Sequence, residues 1–507
     1  MFVKKDYSGE FCHRQIVTDE YYEGKPLEIG LGTQVVMGDV MVEDAYLVKQ
    51  VQERPQVYSQ KPIIEAEYPW ENHKCNSWGI LPMTVVYDPD DDLFKLWYSV
   101  LGYHEEETYD TFKNVGRADY PCLFCYAESK DGIHFINPLS EERPIGRNKA
   151  TNVVFTGSEC GFGGGRVLLN PRRRENPDMK YLLSYNSSDG IRIAASPDGI
   201  KWADIPGINP VIPVSYDTHT HMMYDDGRGV YQLFTRSSVF AKPESSPNEI
   251  NDVNGVFRRQ VCISESSDLI HWSTVRIATR APENVRDNQC DNQATFAIGA
   301  TLIGRMDRFE VTPVSDMMQM MHQYWVTGAD PYNMRFVLPN EPIPHARMNG
   351  YVAASPELRG YPMYTDDNRM IFIGLYSAYN EHAGKSRVGV NYYCFGENRL
   401  VSRYADIGGG WLLTKEFVLR GSKIEVNCDT RRGELRAEII TGEGGNVRGG
   451  AYHAGFTCED CDPITTDGYH HVLSWRGSSD LTEFVGKPIY IRFHLKETKL
   501  YSFTVLE

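Results

Sequence analysis

The chain has 507 residues, a formal net charge of −16 and 12% aromatic residues, 31 of them Tyr. Two or three domains are the prior for that length, and a core of that size needs no disulfide or metal staple. The acidic balance argues against nucleic acid as a partner, because the one basic triplet, Arg172-Arg173-Arg174, runs straight into Glu175 and reads as a solvated turn.

No apolar run is long enough to span a membrane, so no membrane partner is expected. Met1-Phe2-Val3-Lys4-Lys5 is not followed by an apolar core. The expectation is a cytoplasmic protein, or a periplasmic or secreted one if a signal was removed. The 11 cysteines are odd in number and scattered through strand-like runs, which is not a disulfide framework. Cys458-Glu459-Asp460-Cys461 has the spacing for a metal or a disulfide. No second Cys/His pair with ligand spacing accompanies it, so no metal is expected there.

Residues 1–55 hold strand-like runs, Thr33 to Met37 and Val40 to Glu43, and lead into Lys61 to Ile64. They read as a segment that packs on, or completes, the domain after it, where pairing early strands with late ones would remove a sheet edge. From residue 56 to 405 a repeat dominates. Ser129-Lys130-Asp131-Gly132-Ile133-His134-Phe135 returns as Ser196-Pro197-Asp198-Gly199-Ile200-Lys201-Trp202 and as Ser266-Ser267-Asp268-Leu269-Ile270-His271-Trp272. A worn fourth copy centres on Asp330. The aspartates are spaced by 67, 70 and 62 residues. A fixed period of that size marks one supersecondary unit repeated in space. Asp-Gly makes a tight turn, and strand pairs such as Thr84 to Tyr87 with Leu93 to Tyr98 precede each copy. Two hairpins per period are the four strands of a propeller blade.

Blades are expected to begin near Tyr68, Thr151, Tyr216 and Asp291, with a fifth around Arg369 to Tyr393. The Gly161 to Gly165 run lacks the Lys-Ser/Thr of a phosphate loop. Past Gly408-Gly409-Gly410 the strands become short and evenly spaced, which reads as a β-sandwich over 406–507. The expected fold is therefore all-β: a five-bladed β-propeller followed by a C-terminal β-sandwich.

This pattern resembles the furanosidase clan that includes glycoside hydrolase families 32, 43 and 68, and is most similar to family-32-like bacterial proteins of undefined substrate. The resemblance rests on the blade motif, Pro69-Trp70-Glu71, Asp217-Thr218, Gly433-Glu434-Leu435-Arg436 and Leu500-Tyr501-Ser502-Phe503. It implies a glycoside hydrolase acting on a furanoside or similar terminal sugar of an oligosaccharide or glycan. It also implies no organic cofactor, although a structural calcium on the propeller axis would suit it. The chain departs from the invertases: it has no Asn-Asp-Pro-Asn-Gly, Leu169-Asn170-Pro171 stands where Arg-Asp-Pro would be, and Glu159-Cys160 precedes the second blade rather than the third.

Glycoside cleavage needs two carboxyl groups, one protonated and one ionised. Acids at the entries of inner strands are the candidates. Glu71, Asp217 and Glu159 are the catalytic set, each set against a bland reading as a surface acid or a turn cap. Asp291, Glu381 and His382 are candidate substrate contacts. His219 and His221 would orient Asp217 or bind hydroxyls, and Trp70, Trp78 and Tyr216 would stack on a sugar ring. Two other readings stay open: a non-catalytic glycan-binding propeller, and a lyase that abstracts a proton from a uronate with His219, His221 or a Tyr. A homo-oligomer is compatible with the sequence.

Overall fold

The computed structural model describes residues 1–6, 21–59, 61–71, 80–100, 122–156, 165–187, 189–213, 220–240, 257–279, 288–311, 319–348, 351–353, 358–380, 385–441 and 451–507. Nearly all of its regular structure is β.

Four antiparallel four-stranded sheets follow one another along the chain. Sheet I is Ile80–Asp88, Leu93–Val100, Leu123–Ser129 and Val153–Thr156. Sheet II is Arg166–Leu169, Tyr181–Ser187, Gly190–Ser196 and Ala203–Asp204. Sheet III is His221–Asp225, Val230–Phe240, Phe257–Ser266 and Arg276–Thr279. Sheet IV is Asn288–Ile298, Thr301–Val311, Gln319–Gly328 and Arg335–Phe336. Sheet V is built on Arg369–Asn380 and Lys385–Gly396, with Leu358–Tyr364 on its inner side. Its outer side is completed by Gln56–Val57 and Ile64–Glu65, paired to Lys385–Gly396.

Side chains alternate across a strand, so a sheet buried on both faces needs unbroken apolar runs. Tyr181-Leu182-Leu183 is such a run. Tyr181 and Leu183 pack against Trp97 and Phe124 of sheet I, while Leu182 packs against Met222 and Leu233 of sheet III. Equivalent cores join III to IV, IV to V and V to I. The inner strands beginning at Ile80, Arg166, His221, Asn288 and Leu358 touch in that cyclic order, and the last touches the first. The sheets therefore stand face to face around an axis.

The repeated motif is the turn between the third and fourth strand of sheets I to IV. Asp131 Oδ1 accepts the amides of Ile133 at 2.9 Å and His134 at 2.8 Å; Asp198 Oδ1 accepts those of Ile200 at 2.8 Å and Lys201 at 2.7 Å. Asp268 does the same with Ile270 and His271, both at 2.8 Å. The residue after Asp has φ of +77° at Gly132 and +83° at Gly199. Leu269 takes φ +67° without being glycine. Its buried side chain packs with Leu182 and Met222. Burying a Leu gains about 1.5–3 kcal/mol, which offsets the roughly 1–2 kcal/mol of left-handed backbone.

Two six-stranded sheets make the remainder. One is centred on Thr498–Leu506 and the other on Pro488–Lys496. They share one core, with Val426, Leu500 and Phe503 from the first and Leu412, Ile439 and Phe493 from the second.

Three expectations change here. Residues 1–55 do not simply pack on the five-sheet ring. Gly32–Val35 pairs with Thr498–Leu506, Val42–Tyr46 with Gly410–Thr414, and Lys49–Gln52 with Val401–Ala405. Those strands close edges of the two C-terminal sheets, which would otherwise expose unpaired backbone. Phe2, against Phe94 and Tyr392, keeps the expected place, as do Val35 and Met37, which pack with Phe296 and Phe372 of sheets IV and V. Val401–Ala405, expected at the end of the propeller, also belongs to the C-terminal sheets. In addition, Val153–Thr156 closes sheet I instead of opening sheet II, so the first unit ends one strand later than expected, while sheets III and IV open where expected, near Tyr216 and Asp291.

Candidate active site at the ring axis

Trp78, Glu159, Tyr216, Asp217, His219, Glu381 and His382 lie outside the described residues. Trp70, Glu71, His221 and Asp291 are described.

Glu71 is buried, at 1% exposure. Its Oε2 accepts the amides of Glu67 and Tyr68, both at 3.1 Å, and its Oε1 accepts the Tyr98 hydroxyl at 2.5 Å. Asn152 Nδ2 donates to that hydroxyl at 2.6 Å, and the Trp70 indole donates to Asn152 Oδ1 at 3.0 Å. Trp70 is thus a buried wall, stacked on Tyr68 at 4.6 Å, and not an open sugar platform. Burial pushes the Glu71 carboxyl above its usual range; the hydrogen bonds from Tyr98, Tyr68 and Glu67 only partly offset it.

The axis itself is polar. The inner strand of sheet V bulges between Arg359 and Met363, and Gly360 within the bulge has φ +64°. A bulge re-aims side chains. Here it sends Tyr361 across the ring, with its ring 5.2 Å from that of His221 and its hydroxyl donating to Met222 O at 2.5 Å.

Beside it stand Arg166 of sheet II, His221 of sheet III, Arg305 and Asp307 of sheet IV, and Arg359 of sheet V, all buried. Arg305 and Asp307 are two apart on one strand and so share a face. Arg305 donates to Asp307 Oδ1, Gln323 Nε2 donates to the same oxygen at 2.8 Å, and Asn292 Nδ2 reaches Oδ2 at 3.2 Å. Arg359 Nη1 lies 3.6 Å from Asp307 Oδ2. Burial works against the Asp307 charge, but Arg305, Arg359 and Gln323 outweigh it and hold the carboxyl below the usual range.

His221 is 1% exposed. Its Nε2 lies 2.7 Å from Thr295 O. A carbonyl only accepts, so Nε2 carries the proton and Nδ1 presents a lone pair. Burial, and then the Arg166 charge, lower its pKa to about 3. The imidazole is therefore neutral at physiological pH. Asp291 occupies a bulge between Cys290 and Asn292 and takes Arg236 Nη1 at 2.9 Å, with Arg259 Nη1 at 3.5 Å. It is tied to sheet III by two guanidiniums.

Sequence reasoning located His221 at the axis but missed Arg166, Arg305, Asp307 and Arg359. Their signal is a charge inside an otherwise apolar strand, which is anomalous where both faces of the sheet are buried.

No family model matches the chain, and no curated protein matches it. Solved structures similar to it are glycoside hydrolases. One is a Bacillus subtilis arabinoxylan arabinofuranohydrolase of family 43: 9% identity, TM-score 0.36, 88% of this chain and 99% of that one. Another is a Schwanniomyces occidentalis fructofuranosidase complexed with fructosylnystose: 10% identity, TM-score 0.37, 90% and 99%. A third is from the GH130 family of mannoside phosphorylases, described as containing glycoside hydrolases that target β-1,2-mannosidic linkages in Candida mannan: 12% identity, TM-score 0.41, 68% and 94%. Likeness at this level assigns no residue role and no reaction to this chain.

Proposed function

We propose that sheets I to V are the blades of a five-bladed β-propeller, that the two C-terminal sheets form a β-sandwich, and that the chain is a glycoside hydrolase acting on a terminal sugar, a furanoside or similar, at the propeller axis. The observation that carries the reading is the axis. Where apolar strands converge, the chain buries Arg166, His221, Arg305, Asp307 and Arg359 instead of a hydrophobic plug. Buried charge is costly and persists where it serves a ligand or reaction.

In this reading Glu71 is the proton donor, since burial favours its protonated form. Asp217, four residues before His221 in the chain, is the ionised partner, with Glu159 as the other candidate. Incubation with a glycan panel should release reducing sugar. E71Q and D217N should each lower turnover by about 10²-fold or more. Near-wild-type turnover in both variants removes the assignment.

One observation favours a second reading. A neutral His221 with a free-facing Nδ1 lone pair beside Arg166 suits proton abstraction next to a carboxylate, which is the step of a uronate lyase. The same panel separates the two: a lyase yields an unsaturated uronate with new ultraviolet absorbance, and a hydrolase does not.

A further inference from the structure

In four arginines of this chain the Nε–Nη2 edge of the guanidinium meets a carboxylate, and in Arg399 and Arg403 it meets amide and backbone carbonyl oxygens. Arg420 donates from Nε to Glu28 Oε2 at 3.0 Å and from Nη2 to Oε1 at 2.7 Å. Arg431 holds Asp429 likewise, at 2.9 and 2.5 Å. Arg192 sets both groups on Asp204 Oδ2 at 3.0 and 2.7 Å, and Arg172 sets both on Glu175 Oε2 at 3.0 and 2.6 Å. In each of these four the edge grips a carboxylate, whose two oxygens match the parallel N–H groups.

Arg166 is 1% exposed, and the same edge behaves differently. Its Nη1 donates to Gly165 O at 3.2 Å. Its Nε and Nη2 are buried and have no hydrogen-bond partner among the described residues. Asp307, the axial carboxylate whose charge acts on Arg166, is already engaged by Arg305, Gln323 and Asn292. A buried guanidinium with two donors unmatched is unfavourable in the chain alone. His221, on the neighbouring inner strand, contributes an unmatched buried acceptor in the same cluster, its Nδ1. Two parallel donors and one acceptor at the axis are the complement of an anionic oxygen pair and a hydroxyl.

We propose that Arg166 is the receptor for the carboxylate of an acidic sugar, and that His221 Nδ1 accepts a hydrogen bond from a hydroxyl of the same sugar. This deepens the reading above and rests on its placing the sugar at the axis. It makes the substrate an acidic glycan, and it holds whether the bond is cleaved by hydrolysis or by elimination.

The test is binding, independent of turnover. Wild type, R166M and R166K are titrated with galacturonate, glucuronate, galactose, glucose and inorganic phosphate, by calorimetry and thermal melting. A uronate should bind wild type and raise its Tm, while the neutral sugars and phosphate have little effect. R166M should keep or raise the Tm of the unliganded protein, because it removes unmatched buried donors, and should bind uronate about tenfold or more weakly. R166K retains charge without the planar fork and should also lose affinity.

Equal uronate affinity in wild type and both variants overturns the proposal. So does a response to phosphate alone, or no response to any uronate. Cleavage of neutral glycosides without uronate binding would remove this inference and leave the glycosidase reading standing. Uronate binding lost in R166M and R166K, with no glycan turned over, would do the reverse.

Discussion

The Tyr361 hydroxyl, carried by the inner strand of sheet V, donates to the Met222 carbonyl on the inner strand of sheet III at 2.5 Å. One side chain thus ties two non-adjacent sheets across the axis, with its ring beside that of His221. Its aim depends on Gly360, at φ +64°. A Cβ at Gly360 would meet Ile373 Cγ2 and Met83 O at 3.6 Å, ordinary contact distances. Gly360→Ala should therefore cost only its backbone conformation, about 1–2 kcal/mol, and Y361F about 1 kcal/mol for the lost hydrogen bond. Denaturant unfolding measures both, and a loss several times larger in Gly360→Ala would show that the bulge cannot relax.

Asp88, at the far end of the first strand of sheet I, is fully buried and takes Lys180 Nζ at 2.8 Å, Lys95 Nζ at 3.2 Å and the Tyr181 hydroxyl. Burial opposes its charge, but Lys180, Tyr181 and Lys95 prevail and hold the carboxyl well below its usual range. A carboxyl depressed in the folded state stabilises above its unfolded pKa of about 3.9 and loses that stability as pH falls toward the folded value. D88N should lose about 1–3 kcal/mol at neutral pH, because its charged bonds to Lys180 and Lys95 are lost while Asp90 and Asp91 stay paired with those lysines. The gap between D88N and wild type should narrow below about pH 4, which melting curves across pH would show.

His221 sets a second acid limit. Its pKa is about 3 in the folded protein against an ordinary 6.5. Between those values the unfolded chain binds a proton that the folded chain refuses, so stability falls as pH drops through that window. The slope for one such group is about 1.4 kcal/mol per pH unit. H221Q should flatten the dependence of unfolding free energy on pH by about that amount. An unchanged slope would mean that His221 titrates normally in the folded state.

Two glycines of sheet II, one in a repeated turn and one in the loop after Ala203–Asp204, offer a matched comparison. Gly199 and Gly207 both have positive φ, +83° and +78°. A Cβ on Gly207 meets nothing within 4 Å, whereas one on Gly199 would meet Trp97 Cζ2 at 2.6 Å. That indole also donates to Gly199 O at 2.8 Å. Gly207→Ala should cost about 1–2 kcal/mol. Gly199→Ala adds overpacking, typically about 1–3 kcal/mol more. Equal losses by thermal or denaturant unfolding would mean that the sheet I to sheet II contact yields freely.

Much of the fold was legible because its turns are built locally. Asp131, Asp198 and Asp268 fold their own next three residues, so spacing alone marked the turn closing sheets I to III, and the worn copy at Asp330 marked sheet IV. The fifth sheet lacks a copy for a reason no local pattern carries: its outer strands come from Gln56–Val57 and Ile64–Glu65. The axial cluster was hidden for the same reason. Arg166, His221, Arg305 and Arg359 are separated by dozens of residues and meet only when the inner strands converge. Periodicity marks a charge within a strand as facing one side, and says nothing of what the other sheets bring to that side.

The pairing of early strands with late ones has a consequence for synthesis. Residues 32–52 find their sheet partners in Val401–Ala405, Gly410–Thr414 and Thr498–Leu506, and residues 56–65 find theirs in Lys385–Gly396. As the chain emerges from the ribosome, its first strands must wait for some 330 residues or more to follow them, well over ten seconds at ordinary elongation rates of about 5–20 residues per second. Sheets I to IV can form in that interval, each from contiguous chain. The clasp that joins the two ends forms last, so premature termination anywhere before residue 385 should leave a ring without its fastening and a nascent chain open to chaperones and proteases.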